Sequence, residues 1–199
     1  MRRLITILLV AAAAFSCASL TVAAEAKLDF GSVTEKHVMI PMRDGKRLSA
    51  YLYTPNGDGP WPVIMEQRYA SFRGASTRQR AERTAERGYV VALVNFRGTQ
   101  LSEGHYVGYR ALQWGELRDG YDACEWLGKQ KWSTGKVGTR GGSQGGYAQN
   151  YLAVTQPPSL VCQYMTDTGV SLFQEGYRIG GATRPVRFKG MARVCRDPA

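Results

Sequence analysis

The chain has 199 residues, with 26 lysines and arginines against 16 acids, a formal net charge of +10. Its 4 cysteines and 2 histidines form no Cys-x-x-Cys pair and no His/Cys cluster. The sequence therefore offers neither a metal-ligand set nor a disulfide framework, and no cofactor is expected. The basic excess would suit nucleic acid or an anionic envelope surface. However, the bases are interleaved with acids, as in Arg78, Arg80, Glu82, Arg83, Glu86 and Arg87, which reads as a solvated helix face. The lone Arg140-Gly141-Gly142 triplet is not repeated, so nucleic acid is not an expected partner.

The amino terminus reads as an export signal. Arg2 and Arg3 precede an apolar run over residues 4–14, too short to span a bilayer. Val22-Ala23-Ala24 offers a cleavage site before Glu25, with Ala24-Glu25-Ala26 as a second option. A signal peptide over residues 1–24 implies a secreted or periplasmic protein. The Ala14-Phe15-Ser16-Cys17 stretch has alanine where a lipoprotein box wants leucine, so lipid anchoring at Cys17 is not expected. No later segment is apolar and long enough for a transmembrane helix. Cleavage would remove two arginines and no acid, leaving 175 residues at a net +8. Cys124, Cys162 and Cys195 would remain, enough for at most one internal disulfide.

Beyond the signal, residues 37–42 read as a strand and residues 43–46 as a turn. Arg47-Leu48-Ser49-Ala50-Tyr51-Leu52-Tyr53 alternates with a period of two and should pair back as a hairpin. A third strand begins at Pro62 and ends near Tyr69. Residues 77–87 are rich in helix formers and stop at Gly88. Tyr89-Val90-Val91-Ala92-Leu93-Val94 is a continuous apolar run, suited to a strand buried on both faces. Residues 121–129 supply a second helix, with Ala123, Trp126 and Leu127 on one face. A strand at Val137, a helix over residues 147–154 and a strand over residues 160–165 follow. An antiparallel start followed by alternating strands and helices predicts an α/β domain with a mostly parallel sheet. Residues 171–177 fit a short helix. Residues 178–199 have no strong period; the stretch from 168 onward could begin an insertion over the site, which the sequence alone does not establish.

Between the Val137 strand and the next helix lies Gly141-Gly142-Ser143-Gln144-Gly145-Gly146. Gly-x-Ser-x-Gly at a strand-to-helix turn fits a nucleophile elbow, in which the serine hydroxyl is raised above the sheet edge at a helix N-terminus. The other reading is an ordinary glycine-rich turn. A phosphate loop fits poorly, because the lysine and Ser/Thr ending are missing. Ligands of parallel sheets bind at the carboxyl ends of the strands. The Tyr69 loop, the loop after Val94 and the Ser143 turn should all meet there.

Four stretches then carry a family resemblance. They are Met42-Arg43-Asp44-Gly45-Lys46-Arg47-Leu48; Gly59-Pro60-Trp61-Pro62-Val63-Ile64 with Arg68 and Tyr69; Arg97-Gly98-Thr99-Gln100-Leu101-Ser102-Glu103-Gly104; and residues 119–138, which lead into the serine motif. Over residues 36–165 the chain resembles the cocaine esterase and X-Pro dipeptidyl-peptidase family of α/β-hydrolases. The resemblance implies that Ser143 is the acylated nucleophile and that the Gln144 backbone N–H and the Tyr69 hydroxyl form the oxyanion hole. The substrate it implies is a small ester, amide or short peptide. Two departures stand out. Gln144 replaces a tyrosine common in the family, and Thr139 and Arg140 stand where apolar residues are usual.

The rest of a triad is harder to find. In this fold the order is serine, acid, histidine, yet no histidine follows Ser143. His37 belongs to the first strand and His105 to a loop at the expected sheet edge. Asp167 follows the last strand but reads as a loop residue. The expectation is a truncated hydrolase, the N-terminal part of a longer enzyme, with negligible turnover as it stands. The alternative is a non-catalytic basic envelope protein that binds an anionic surface or partner. Oligomeric state is not legible.

Overall fold

A computed structural model of the protein describes residues 31–113 and 115–186. The signal segment, Cys17, Cys195 and the end of the supposed insertion lie outside these residues. Strands β1 (Val33–Pro41) and β2 (Arg47–Pro55) form the expected antiparallel hairpin, in a register that sets His37 opposite Tyr51. The turn closes through Met42 N–H to the Lys46 carbonyl at 2.8 Å. Strands β3 (Trp61–Arg68), β4 (Val90–Asn95), β5 (Ser133–Gly142) and β6 (Leu160–Thr166) follow. One six-stranded sheet results, in the order β1-β2-β4-β3-β5-β6. β2 meets β4 antiparallel, whereas β4, β3, β5 and β6 run parallel.

All six residues of β4 are buried, which explains its unbroken apolar sequence. Its side chains alternate between two cores. Val90, Ala92 and Val94 join Val63, Met65 and Val137 beneath Ala123, Leu127 and Leu152 of the helices on one face. Val91 and Leu93 join Tyr53, Phe72, Ala81 and Ala85 on the other. Burying each valine or leucine contributes about 1.5–3 kcal/mol. The helices are α1 (Ala75–Ala85), the four-residue α2 (Arg110–Gln113), α3 (Asp119–Gly128) and α4 (Gln144–Thr155). Gly88 at φ 87° takes the left-handed turn after α1. The short helix expected over residues 171–177 is a π-helical turn (Leu172–Tyr177), and a small hairpin (Arg178–Ile179 with Ala182–Thr183) opens the stretch that had no period.

The face of α1 needs a correction. Its bases are not uniformly solvated: Arg78 is buried and donates to Glu35 of β1 at 3.0 Å, and Arg80 reaches Glu66 of β3 at 3.2 Å. The only apolar residues the helix buries are Ala81 and Ala85, so it docks also through the Arg78 fork on Glu35 and a single Arg80 bond to Glu66. Arg97 makes a second such clamp at 6% side-chain exposure. It donates twice to Asp119 in the first turn of α3, at 2.9 and 2.7 Å, and twice to Asp44 in the hairpin turn. These bonds fix the loop after β4 against both neighbours. Because β3, β4 and β5 are parallel, their carboxyl ends bring Tyr69, Phe96 and Ser143 out at one edge of the sheet.

Candidate active site

Ser143 sits between the end of β5 and the first residue of α4, with φ 50° and ψ −113°. For a residue with a side chain this backbone costs on the order of 1–3 kcal/mol and persists only where its surroundings enforce it. The enforcement is visible. A Cβ on Gly141 would stand 3.1 Å from the Gly145 carbonyl carbon, and one on Gly146 would stand 2.6 Å from the Thr168 Cβ. The Gly141 position meets the backbone of Gly145 and the Gly146 position meets the Thr168 side chain, so a glycine at each is a packing requirement. The Ser143 side chain is exposed at the apex. The Gln144 N–H belongs to the first turn of α4, where amides have no intrahelical acceptor and the helix dipole favours negative charge.

Below the apex, Gln149 locks the turn. Its side chain is buried; it accepts from the Thr139 hydroxyl at 2.8 Å and donates to the carbonyls of Gly141, Gly145 and Tyr164 at 3.1–3.2 Å. One side chain thus joins β5, the elbow, α4 and β6. The unusual Thr139 is explained by this network. The neighbouring Arg140 points to the opposite face, where Nη1 donates to the Thr84 hydroxyl at 2.8 Å and Nε lies 3.8 Å from Glu66. Gln149 was not among the expected site residues; a glutamine inside an apolar helix face is the signal that could have found it.

The second departure, Gln144, also has a structural role. Its Oε1 accepts from the Ala70 N–H at 3.1 Å, tying the elbow to the residue after Tyr69. The two expected oxyanion donors therefore sit on segments bonded to each other. Tyr69 is half-buried, packed edge-on against Phe96 and Tyr106. Its hydroxyl makes no hydrogen bond among the described residues. Tyr109, its phenol pushed well above its ordinary pKa by burial and by nearby tyrosines, donates to the Gln144 carbonyl at 3.3 Å. Phe96, Tyr109, Tyr147 and Ala148 form the apolar floor beside the serine.

Neither histidine pairs with Ser143. His37 Nε2 lies 2.9 Å from the Ser49 hydroxyl on the hairpin, and its ring packs on Tyr51. His105 is exposed on the loop after β4, next to Tyr106, with no hydrogen bond among the described residues. Asp167 is exposed at φ 49° directly after β6 and likewise touches no histidine. Among the described residues the structure thus brings together the serine, the helix amide and the tyrosine loop, without a histidine at the serine.

Known proteins are similar to this chain in sequence and fold. The cocaine esterase of Rhodococcus sp. is 34% identical over 124 residues, which is 60% of this chain and 20% of the esterase. The chain thus spans about a fifth of the length of that curated relative. Among solved structures, an α-amino acid ester hydrolase matches at a TM-score of 0.66 and 27% identity, over 90% of this chain and 33% of its own. An aminopeptidase from a marine sediment Thaumarchaeota archaeon matches at 0.58 and 29%, over 69% and 26%. The fold is that of the α/β-hydrolases. The model of the X-Pro dipeptidyl-peptidase (S15) family matches residues 44–195, and the chain belongs to that family.

Proposed function

We propose that this chain carries the nucleophile and oxyanion-binding half of a serine hydrolase that cleaves small esters, amides or short peptides. On this reading the Ser143 Oγ attacks the carbonyl carbon, the leaving group departs with a proton, and water then cleaves the acyl-serine ester. The Gln144 N–H and the Tyr69 hydroxyl donate to the oxyanion that forms on the carbonyl oxygen. The observation that carries this reading is the strained backbone of Ser143 at a glycine-bounded strand-to-helix turn. Esterase and aminopeptidase names among its relatives support it.

The serine proton needs a base, and the chain's two histidines both precede the elbow. A histidine and an orienting acid outside these 199 residues would complete the site. We further propose export, directed by residues 1–24. A boronic acid tests the site without requiring turnover, because its boron takes up a serine hydroxyl as a tetrahedral adduct with no leaving group to expel. Boron NMR should show an adduct on the wild-type chain, lost in Ser143→Ala and weakened about 10- to 100-fold in Tyr69→Phe. An adduct that survives Ser143→Ala would rule the assignment out.

A further inference from the structure

The face of β5 opposite α4 carries an arrangement that ester hydrolysis does not use. Glu66 is nearly buried, with its side chain 5% exposed, and three guanidinium groups surround it. Arg68 Nη1 lies 3.3 Å from it, Arg80 Nη2 3.2 Å, and Arg140 Nε 3.8 Å, too long for a hydrogen bond. One carboxylate faces three cations, a local excess of two positive charges. These four residues, with Gly142 and Thr166, line a cleft of about 340 Å³.

The donors are not all used. Arg68 Nε and the Nε and Nη2 of Arg140 are buried without a hydrogen-bond acceptor. A buried charged donor left unpaired costs more than an ordinary unmade hydrogen bond. Burial depresses the pKa of both Arg68 and Arg140; Glu66 opposes this, and the charge of Arg80 adds to it. The cluster is short of negative charge.

We propose that this cleft is an anion site that takes a small doubly charged oxyanion, of the phosphate or sulfate type, between Arg68, Arg80 and Arg140. Two charges would balance the excess, and the planar guanidinium forks suit an oxyanion's paired oxygens. The Thr166 hydroxyl adds a neutral donor at the rim. The occupant is separate from the acyl substrate, since Arg140 and Thr139 point to opposite faces of β5.

Inorganic phosphate is the probe. Titration of the 199-residue chain at constant ionic strength, followed by calorimetry, should give saturable binding with one phosphate per chain. Arg80→Gln and Arg140→Met should each weaken it about tenfold or more, with Ser143→Ala unchanged. Circular dichroism would verify that each variant is folded, and Glu66→Gln, which adds to the positive excess, should tighten binding. No saturable binding by the wild-type chain would overturn the proposal. So would phosphate affinity that is indifferent to both arginines, or acetate binding as tightly as phosphate at the same ionic strength.

Discussion

At the scale of single residues, Ser143 shows how much function is stored in two backbone angles. Its φ of 50° and ψ of −113° lie in a region that glycine adopts freely and serine does not. Ser143→Gly should therefore raise unfolding free energy by about 1 kcal/mol relative to Ser143→Ala, which keeps the strain. Urea unfolding of the two variants measures the difference. Glu35 makes a different residue-scale point. Burial pushes its pKa up, but hydrogen bonds from Tyr53, Arg73 and Arg78 outweigh this and leave it below 4.5. A depressed carboxylate contributes stability that is present above its unfolded pKa and is lost as pH falls through its folded value. Urea midpoints taken from pH 7 down into the acid range below 4.5 should fall, and the fall should be shallower in Glu35→Gln.

At the scale of elements, the fold was legible wherever periodicity spoke. The hairpin pairing of β2, the apolar run of β4 and the glycine-bounded serine turn all appear as read, although β2 is buried on both faces and not on alternate residues. The burial of Arg78, on a face of α1 read as solvated, has a physical cause. A helix of arginines and glutamates looks solvated until Glu35 and Glu66, far away in sequence, are folded beneath it. The four-residue α2 and the two-residue hairpin are too short to set up a period at all. Gln149 escaped notice because a helix position does not reveal which carbonyls it will meet. Replacing it with leucine would leave the Thr139 hydroxyl and three carbonyls without this partner. Gln149→Leu should cost about 2–4 kcal/mol, read as a lower urea midpoint. Its boronate adduct should also weaken, because the turn that presents Ser143 loses its anchor.

At the scale of the whole molecule, part of the basic charge is committed to ion pairs. Arg43 pairs with Asp122, Arg47 with Glu103, Arg73 and Arg78 with Glu35, and Arg97 with two aspartates. A net charge read from sequence says nothing of such pairing, and these pairs count against a broad polyanion-binding face. The triad was legible only in part, for an equally physical reason. A strained turn and its glycines are local and leave a sequence mark, whereas a general base comes to the serine from anywhere in the chain. The central claim is that Ser143 is a nucleophile held ready at its elbow. Intact-mass analysis after exposure to an alkyl fluorophosphonate tests it most directly. The account predicts one adduct per chain, mapped to Ser143 and absent from Ser143→Ala. No adduct on the folded chain, or the same adduct on Ser143→Ala, would contradict it.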